Sequence, residues 1–170
     1  GPGVVVCPAS VIPDWIAAFQ RFGVQAIDFR GRTLPGKANV LVTSYQTSHR
    51  REKALSTGGV IIYDESHKLT NRSSKQSMTA SRLGKQAAGR IALSGTPFTH
   101  AIDGLQPTLR YLEPEAWPSN ERFVERYCET QVQAYGQPEV TGIRRDRREE
   151  FDTALAGTYR ASAHPACSSP

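Results

Sequence analysis

Residues 60 to 67, Val-Ile-Ile-Tyr-Asp-Glu-Ser-His, restrict the fold of this chain more than any other stretch. Val60, Ile61, Ile62 and Tyr63 run together without polar alternation. So short and β-branched a run reads as a strand buried on both faces, as in a parallel sheet covered by helices. Gly58 and Gly59 in front of it supply a turn. Asp64 and Glu65 follow at once. Ionised carboxylates at the end of a buried strand are costly unless something positive meets them. At the carboxyl end of a parallel strand, the usual answer is a metal ion bound with nucleotide phosphates. Asp64 can hold Mg2+ directly or through water, and Glu65 can orient and activate the water that attacks a γ-phosphate.

Other stretches repeat the strand signal. Val4 to Cys7, Val40 to Val42 and Ile91 to Leu93 read as buried strands, and residues 25 to 29 as a short one. Between them, Ile12, Trp15, Ile16, Phe19 and Phe22 recur at helical spacing. Ser10 is placed to cap that helix, Pro13 falls in its first turn, and Trp15 reads as a core anchor. Single helices are expected over residues 45 to 55 and 74 to 87, the second with Ala80, Leu83 and Ala87 inward. The fold class is therefore α/β, a parallel sheet flanked by helices. Residues 129 to 142 read as a loop. A mixed-charge helix follows from Arg144 to about Tyr159, and the small, polar end from Ala161 to Pro170 reads as a frayed tail.

One stretch is a decoy. Gly31-Arg-Thr-Leu-Pro-Gly-Lys-Ala38 nearly matches the phosphate-binding loop G-x-x-x-x-G-K-[ST]. Its last position has no hydroxyl, and a strand rather than a helix follows. That loop needs a helix behind it, so that main-chain N–H groups and the helix dipole face the phosphates. Residues 31 to 38 are therefore an ordinary turn-rich surface loop.

Taken together, the motifs resemble the first motor lobe of the Swi/Snf-like branch of superfamily-two helicases and DNA translocases, a RecA-like ATPase lobe. Asp64-Glu65-Ser66-His67 is similar to that family's nucleotide-hydrolysis motif. Val-Val-Cys-Pro-Ala-Ser10 is similar to its motif Ia, and Ser94-Gly95-Thr96-Pro97 to its motif III. The resemblance covers residues 4 to 128. It implies ATP and Mg2+ as cofactors, with Asp64 and Glu65 at the nucleotide and Asp64 on the metal. Ser94 and Thr96 would sit beside the acidic strand and hydrogen-bond His67 or Asp64. Pro8, Ala9 and Ser10 would touch the backbone of duplex DNA. Thr43 and Ser44, in a Thr-Ser-Tyr similar to motif Ib, are either a further DNA contact or a helix cap. Arg72 and Lys75 are phosphate contacts or plain surface charge. Thr99-His100-Ala101 departs from the family, which usually has Gln-Asn there.

The resemblance divides the chain into a partial RecA-like lobe at 3–128, a loop and helical extension at 129–160, and a tail at 161–170. The family's phosphate-binding loop would precede this stretch and its second motor lobe would follow. Residues 1 to 170 alone are therefore expected to hydrolyse no ATP, and need not bind a cofactor. In such lobes the loop-bearing strand lies beside the acidic one. Without it, a gap with two unpaired strand edges is expected, closed by direct strand pairing, by self-association, or by a partner carrying the strand. The other expectation, from a different class, is a non-catalytic lobe that binds DNA or protein. A net charge of +5 and a pI near 9.3 suit an acidic partner weakly. Cys7, Cys128 and Cys167 form no C-x-x-C pair, which points to a reducing, intracellular compartment rather than a disulfide framework or zinc site. No stretch reaches the 18 apolar residues of a membrane span.

Overall fold

The computed structural model describes residues 1–31, 33, 36–71, 73–95, 102–132 and 138–158. Five strands form one parallel sheet: β1 (Gly3–Cys7), β2 (Ala26–Asp28), β3 (Val40–Ser44), β4 (Val60–Asp64) and β5 (Gly89–Leu93), in spatial order β2-β3-β1-β4-β5. Side-chain alternation divides β1 between two cores. Val4 and Val6 join Leu41, Ile61 and Tyr63 on one face, while Val5 and Cys7 join Val42 and Ala26 on the other. Around β1 both faces are apolar because both are covered, which is why it reads as a continuous hydrophobic run; β5, expected to be buried, instead leaves Ile91 42% and Leu93 40% exposed at the edge of the sheet.

The second of these faces is covered by α1 (Ile12–Arg21), through Ile12, Trp15, Ile16 and Phe19. Phe22 is not part of that stripe: it stands beyond the last helical turn and is 84% exposed. Ser10 does not cap α1 either. It lies in a 3-10 turn, Ala9–Val11, and the capping position is taken by Val11, which makes no side-chain cap bond. Pro13 sits in the first turn as expected, where a missing N–H costs nothing.

On the opposite face lie α2 (Tyr45–Arg50), α3 (Glu52–Leu55), α4 (Lys75–Gln86) and α5 (Gln106–Leu112), contributing Tyr45, Leu55, Ala80, Leu83 and Tyr111. The single helix expected over 45 to 55 is two, because Arg51 leaves helical geometry at φ −121° and ψ 22°. Ser44 and Ser74 cap α2 and α4 by accepting from Thr47 N–H at 3.2 Å and Ser77 N–H at 3.1 Å. Gly58, at φ +73°, makes the left-handed turn into β4 that a residue with a Cβ adopts only under strain.

Of the three closures expected for the gap beside the acidic strand, direct strand pairing is the one found. β4 is paired on one side with β1 and on the other with β5, so the sheet is continuous through the acidic strand. The open edges belong to β2 and β5.

The loop expected over 129 to 142 is also corrected. β6 (Cys128–Gln131) and β7 (Glu139–Ile143) form an antiparallel pair directly after α6 (Asn120–Tyr127). The closing helix, α7 (Arg148–Thr158), then packs Phe151 into a cluster with Trp117, Phe123 and Tyr127. Ring centroids there are 5.5 to 6.3 Å apart, mostly edge to face.

Candidate functional site at the carboxyl ends of the strands

Parallel pairing sets the positions of the candidate residues. Cys7 is level with Ser44, Val6 with Tyr63, and Asp64 with Leu93. The turn Pro8–Ser10, Ser44, the pair Asp64–Glu65, and Ser94 therefore leave the sheet along the same edge. This is the edge at which open α/β sheets bind ligands.

The acid turn is held by several donors. Asp64 Oδ1 accepts from the Glu65 N–H at 2.9 Å, and Oδ2 from Trp15 Nε1–H at 2.8 Å. The Tyr45 hydroxyl donates to the main-chain oxygen of Asp64 at 2.6 Å and lies 3.3 Å from that of Glu65. These bonds secure an unusual backbone. Glu65 has φ 54° and ψ 50°, the left-handed region that costs a residue with a Cβ roughly 1–2 kcal/mol. The left-handed turn redirects the chain from β4 into the 3-10 turn Ser66–Leu69.

Beyond the turn, His67 Nδ1 is shared, lying 3.2 Å from Glu65 Oε2 and 3.3 Å from Ser94 Oγ. Glu65, His67 and Ser94 thus form a polar chain from the end of β4 to the end of β5. This is the Ser94–His67 contact that the motifs led us to expect. Thr96 and Arg72, like residues 99 to 101, lie outside the described residues.

The remaining candidates divide. Thr43 is fully buried, and its hydroxyl donates to the Phe29 carbonyl at 2.8 Å, so it tethers the sheet tip and fills neither role left open for it, a DNA contact or a helix cap. Ser44 is the helix cap of the two roles left open for it. Ala9, Ser10 and Lys75 are exposed, Pro8 is half-buried, and Lys75 opens α4. In the decoy loop, Gly36 and Lys37 form an exposed turn leading into β3, with no helix to collect a phosphate.

Burial pushes the Cys7 thiol up to about 12, helped by the nearby charges of Asp64 and Asp28. It stays protonated beside the acid turn at neutral pH. Burial, with Asp64 next, likewise raises Tyr45, which keeps its hydroxyl a donor.

Among the described residues, no group of three or more His, Cys, Asp and Glu side chains is placed to cage a metal ion. Nor does an ion pair neutralise Asp64 among them; its carboxylate is met by neutral N–H groups. That donor set fits Mg2+, which takes one or two protein carboxylates and fills its other positions with water and phosphate. Trp15 is the functional contact that sequence reasoning missed. Its helical spacing marks the apolar face of α1, and no local signal points to an acid 49 residues away.

Comparison with known proteins agrees with this geometry. The SNF2-related domain model matches residues 1–145. A rice protein described as a probable chromatin-remodeling complex ATPase chain is 31% identical over 140 residues, 74% of this chain and 12% of the relative. A Drosophila melanogaster SWI/SNF-related matrix-associated actin-dependent regulator of chromatin subfamily A-like protein 1 is 38% identical over 103 residues, 59% of this chain and 14% of the relative. The chain thus spans about an eighth of the length of these relatives. Among solved structures, the Sulfolobus solfataricus SWI2/SNF2 ATPase core in complex with dsDNA superposes with a TM-score of 0.71 at 20% identity, over 92% of this chain and 32% of that one. The shared architecture is that of a RecA-like lobe. With its parallel sheet, its acid turn and a match over residues 1–145, the chain belongs to the SNF2-related domain family.

Proposed function

We propose that this chain supplies the magnesium-holding and water-orienting side of an ATP-driven motor that works along duplex DNA. Asp64 holds the metal, which when bound neutralises charge on the terminal phosphates. Glu65 orients and activates the attacking water. His67 and Ser94 tie Glu65 to the end of β5, so that a change at the nucleotide moves that strand tip; Thr96 is assigned the same task. The turn Pro8–Ala9–Ser10 meets a DNA phosphate, with Lys75 and Arg72 adding positive charge. The likeness to a rice protein described as an ATPase chain and to a Sulfolobus solfataricus core solved in complex with dsDNA supports ATP and DNA as the ligands. The observation that carries the reading is the Glu65–His67–Ser94 chain beside an Asp64 carboxylate that no cation neutralises among the described residues.

The test is to join this chain to the phosphate-binding loop and second lobe of a relative and to measure ATP hydrolysis with and without duplex DNA. We expect DNA-stimulated turnover that Glu65→Gln abolishes. Turnover indifferent to Glu65→Gln would remove the reading. The second reading, a lobe that binds without turning over, rests on the net charge of +5, which suits an acidic partner whether or not ATP is hydrolysed. Under it, the unjoined chain binds duplex DNA with a salt-dependent affinity and hydrolyses ATP no faster than buffer, and the joined protein gains no turnover.

A further inference from the structure

The Asp64 carboxylate is oriented from two directions. Glu65 N–H, on Oδ1, belongs to the next residue and comes with the turn. Trp15 Nε1–H, on Oδ2, arrives from α1 on the other side of 49 residues of chain. One bond would leave the carboxylate free to rotate about its terminal torsion, which is broad for Asp. A second donor on the other oxygen holds its plane.

The chemistry of the second donor matters as much as its position. An indole donates one N–H and carries no charge. An arginine or lysine in its place would neutralise Asp64 and compete with a cation. Trp15 orients the carboxylate and leaves its negative charge, and a lone pair on each oxygen, for a cation. The ring packs in an apolar cluster with Val11, Ile16 and Phe19 against the sheet, its centroid 5.7 Å from that of Phe19. α1 begins directly after the turn Pro8–Ser10, so the helix that carries Trp15 also carries the candidate DNA contact at its start.

We infer that Trp15 is a positioning residue for Asp64: its indole N–H holds the carboxylate in the orientation that receives a divalent cation, and links that carboxylate to the helix behind the Pro8–Ser10 turn. The inference rests on the magnesium reading given above.

The test uses the whole chain, labelled with 15N, and Mn2+ alone as the probe. Trp15→Phe keeps an aromatic ring and removes the donor; Phe19→Leu disturbs the same helix face without touching Asp64. In the metal-free protein, the indole resonance lost in Trp15→Phe is that of Trp15. Asp64→Ala should move this resonance and speed its exchange with water, leaving that of Trp117 in place. An unmoved Trp15 resonance overturns the inference. With Mn2+, read by the electron-spin signal of the free ion, Trp15→Phe should weaken binding by ~10-fold or more, the usual cost of removing a hydrogen-bond partner behind a metal ligand. Phe19→Leu should leave it unchanged. Equal affinity in Trp15→Phe and the unaltered chain, or an equal loss in Phe19→Leu, overturns the inference. If Asp64→Ala does not weaken Mn2+ binding at all, the magnesium reading is what fails, and the first arm decides by itself whether Trp15 orients Asp64.

Discussion

Two aromatic groupings in this chain have opposite relations to polarity. Trp117, Phe123, Tyr127 and Phe151 form a cluster that joins α6, α7 and the turn before α6. Its polar atoms are settled at the periphery: Trp117 Nε1–H donates to Thr158 Oγ1 at 3.0 Å, and the Tyr127 hydroxyl to Glu150 at 3.1 Å. Around the sheet, Tyr45, Tyr63 and Tyr111 stack in sequence at 5.8 and 5.1 Å, and Trp15 lies against the other face. Here Tyr45 and Trp15 both aim their donors at Asp64. The first grouping uses aromatic area to fasten a segment. In the second, Tyr45 and Trp15 deliver polar donors to the end of a strand, whereas the buried hydroxyls of Tyr63 and Tyr111 find no partner among the described residues. A buried donor is costly without a partner, so the turn and the two rings specify one another.

This contrast breaks most sharply at Phe123, which is fully buried in the first grouping. Phe123→Ala should cost about 3–5 kcal/mol of stability by denaturant unfolding. The Trp15 indole resonance should stay where it is in the protein that remains folded. A shift of that resonance would show that the cluster also supports the site.

A smaller loss is expected from Tyr45→Phe. The ring still packs against Tyr63, but the main-chain oxygen of Asp64 loses its 2.6 Å donor. We expect about 1–3 kcal/mol, with amide exchange at Ser66 and His67 rising more than at α6. Uniform exchange across both regions would mean that Tyr45 supports the whole sheet rather than the turn.

The smallest change, and opposite in sign, belongs to Glu65→Gly. Left-handed backbone suits glycine, so relief of strain offsets the entropy lost on ordering it, and stability should hold or rise by up to ~1 kcal/mol. In the joined motor protein the same change should abolish turnover. A residue whose removal leaves stability intact and ends activity is retained for chemistry, whereas Phe123 should show the reverse pattern.

Much of the sheet was legible because β-branched runs bounded by glycine and proline have few alternatives. The acid pair was legible because two carboxylates behind such a run have few uses. Less was legible where a residue serves two purposes. Thr43 looked like a free hydroxyl at a strand tip, but it donates to the Phe29 carbonyl, 14 residues back along the chain. The β6–β7 hairpin was missed because apart from Cys128 its residues are exposed or half-buried, so it carries little hydrophobic alternation to reveal it. Which of the three closures applies beside the acidic strand was not legible, because the pairing of β4 with both β1 and β5 is a matter of strand order, which local patterns do not encode.

By itself, the sequence determined the parallel α/β sheet, the position of the acid pair at the end of β4, and the order of the motifs along the chain. These follow from short-range rules: apolar runs must be buried, and charges must stand at their ends. Tertiary structure alone decided that Trp15 and Tyr45 grip Asp64 and that Glu65 takes a left-handed backbone. Each of those contacts joins residues 19 to 49 positions apart or a backbone state that only such contacts maintain, and distance along the chain carries no trace of it.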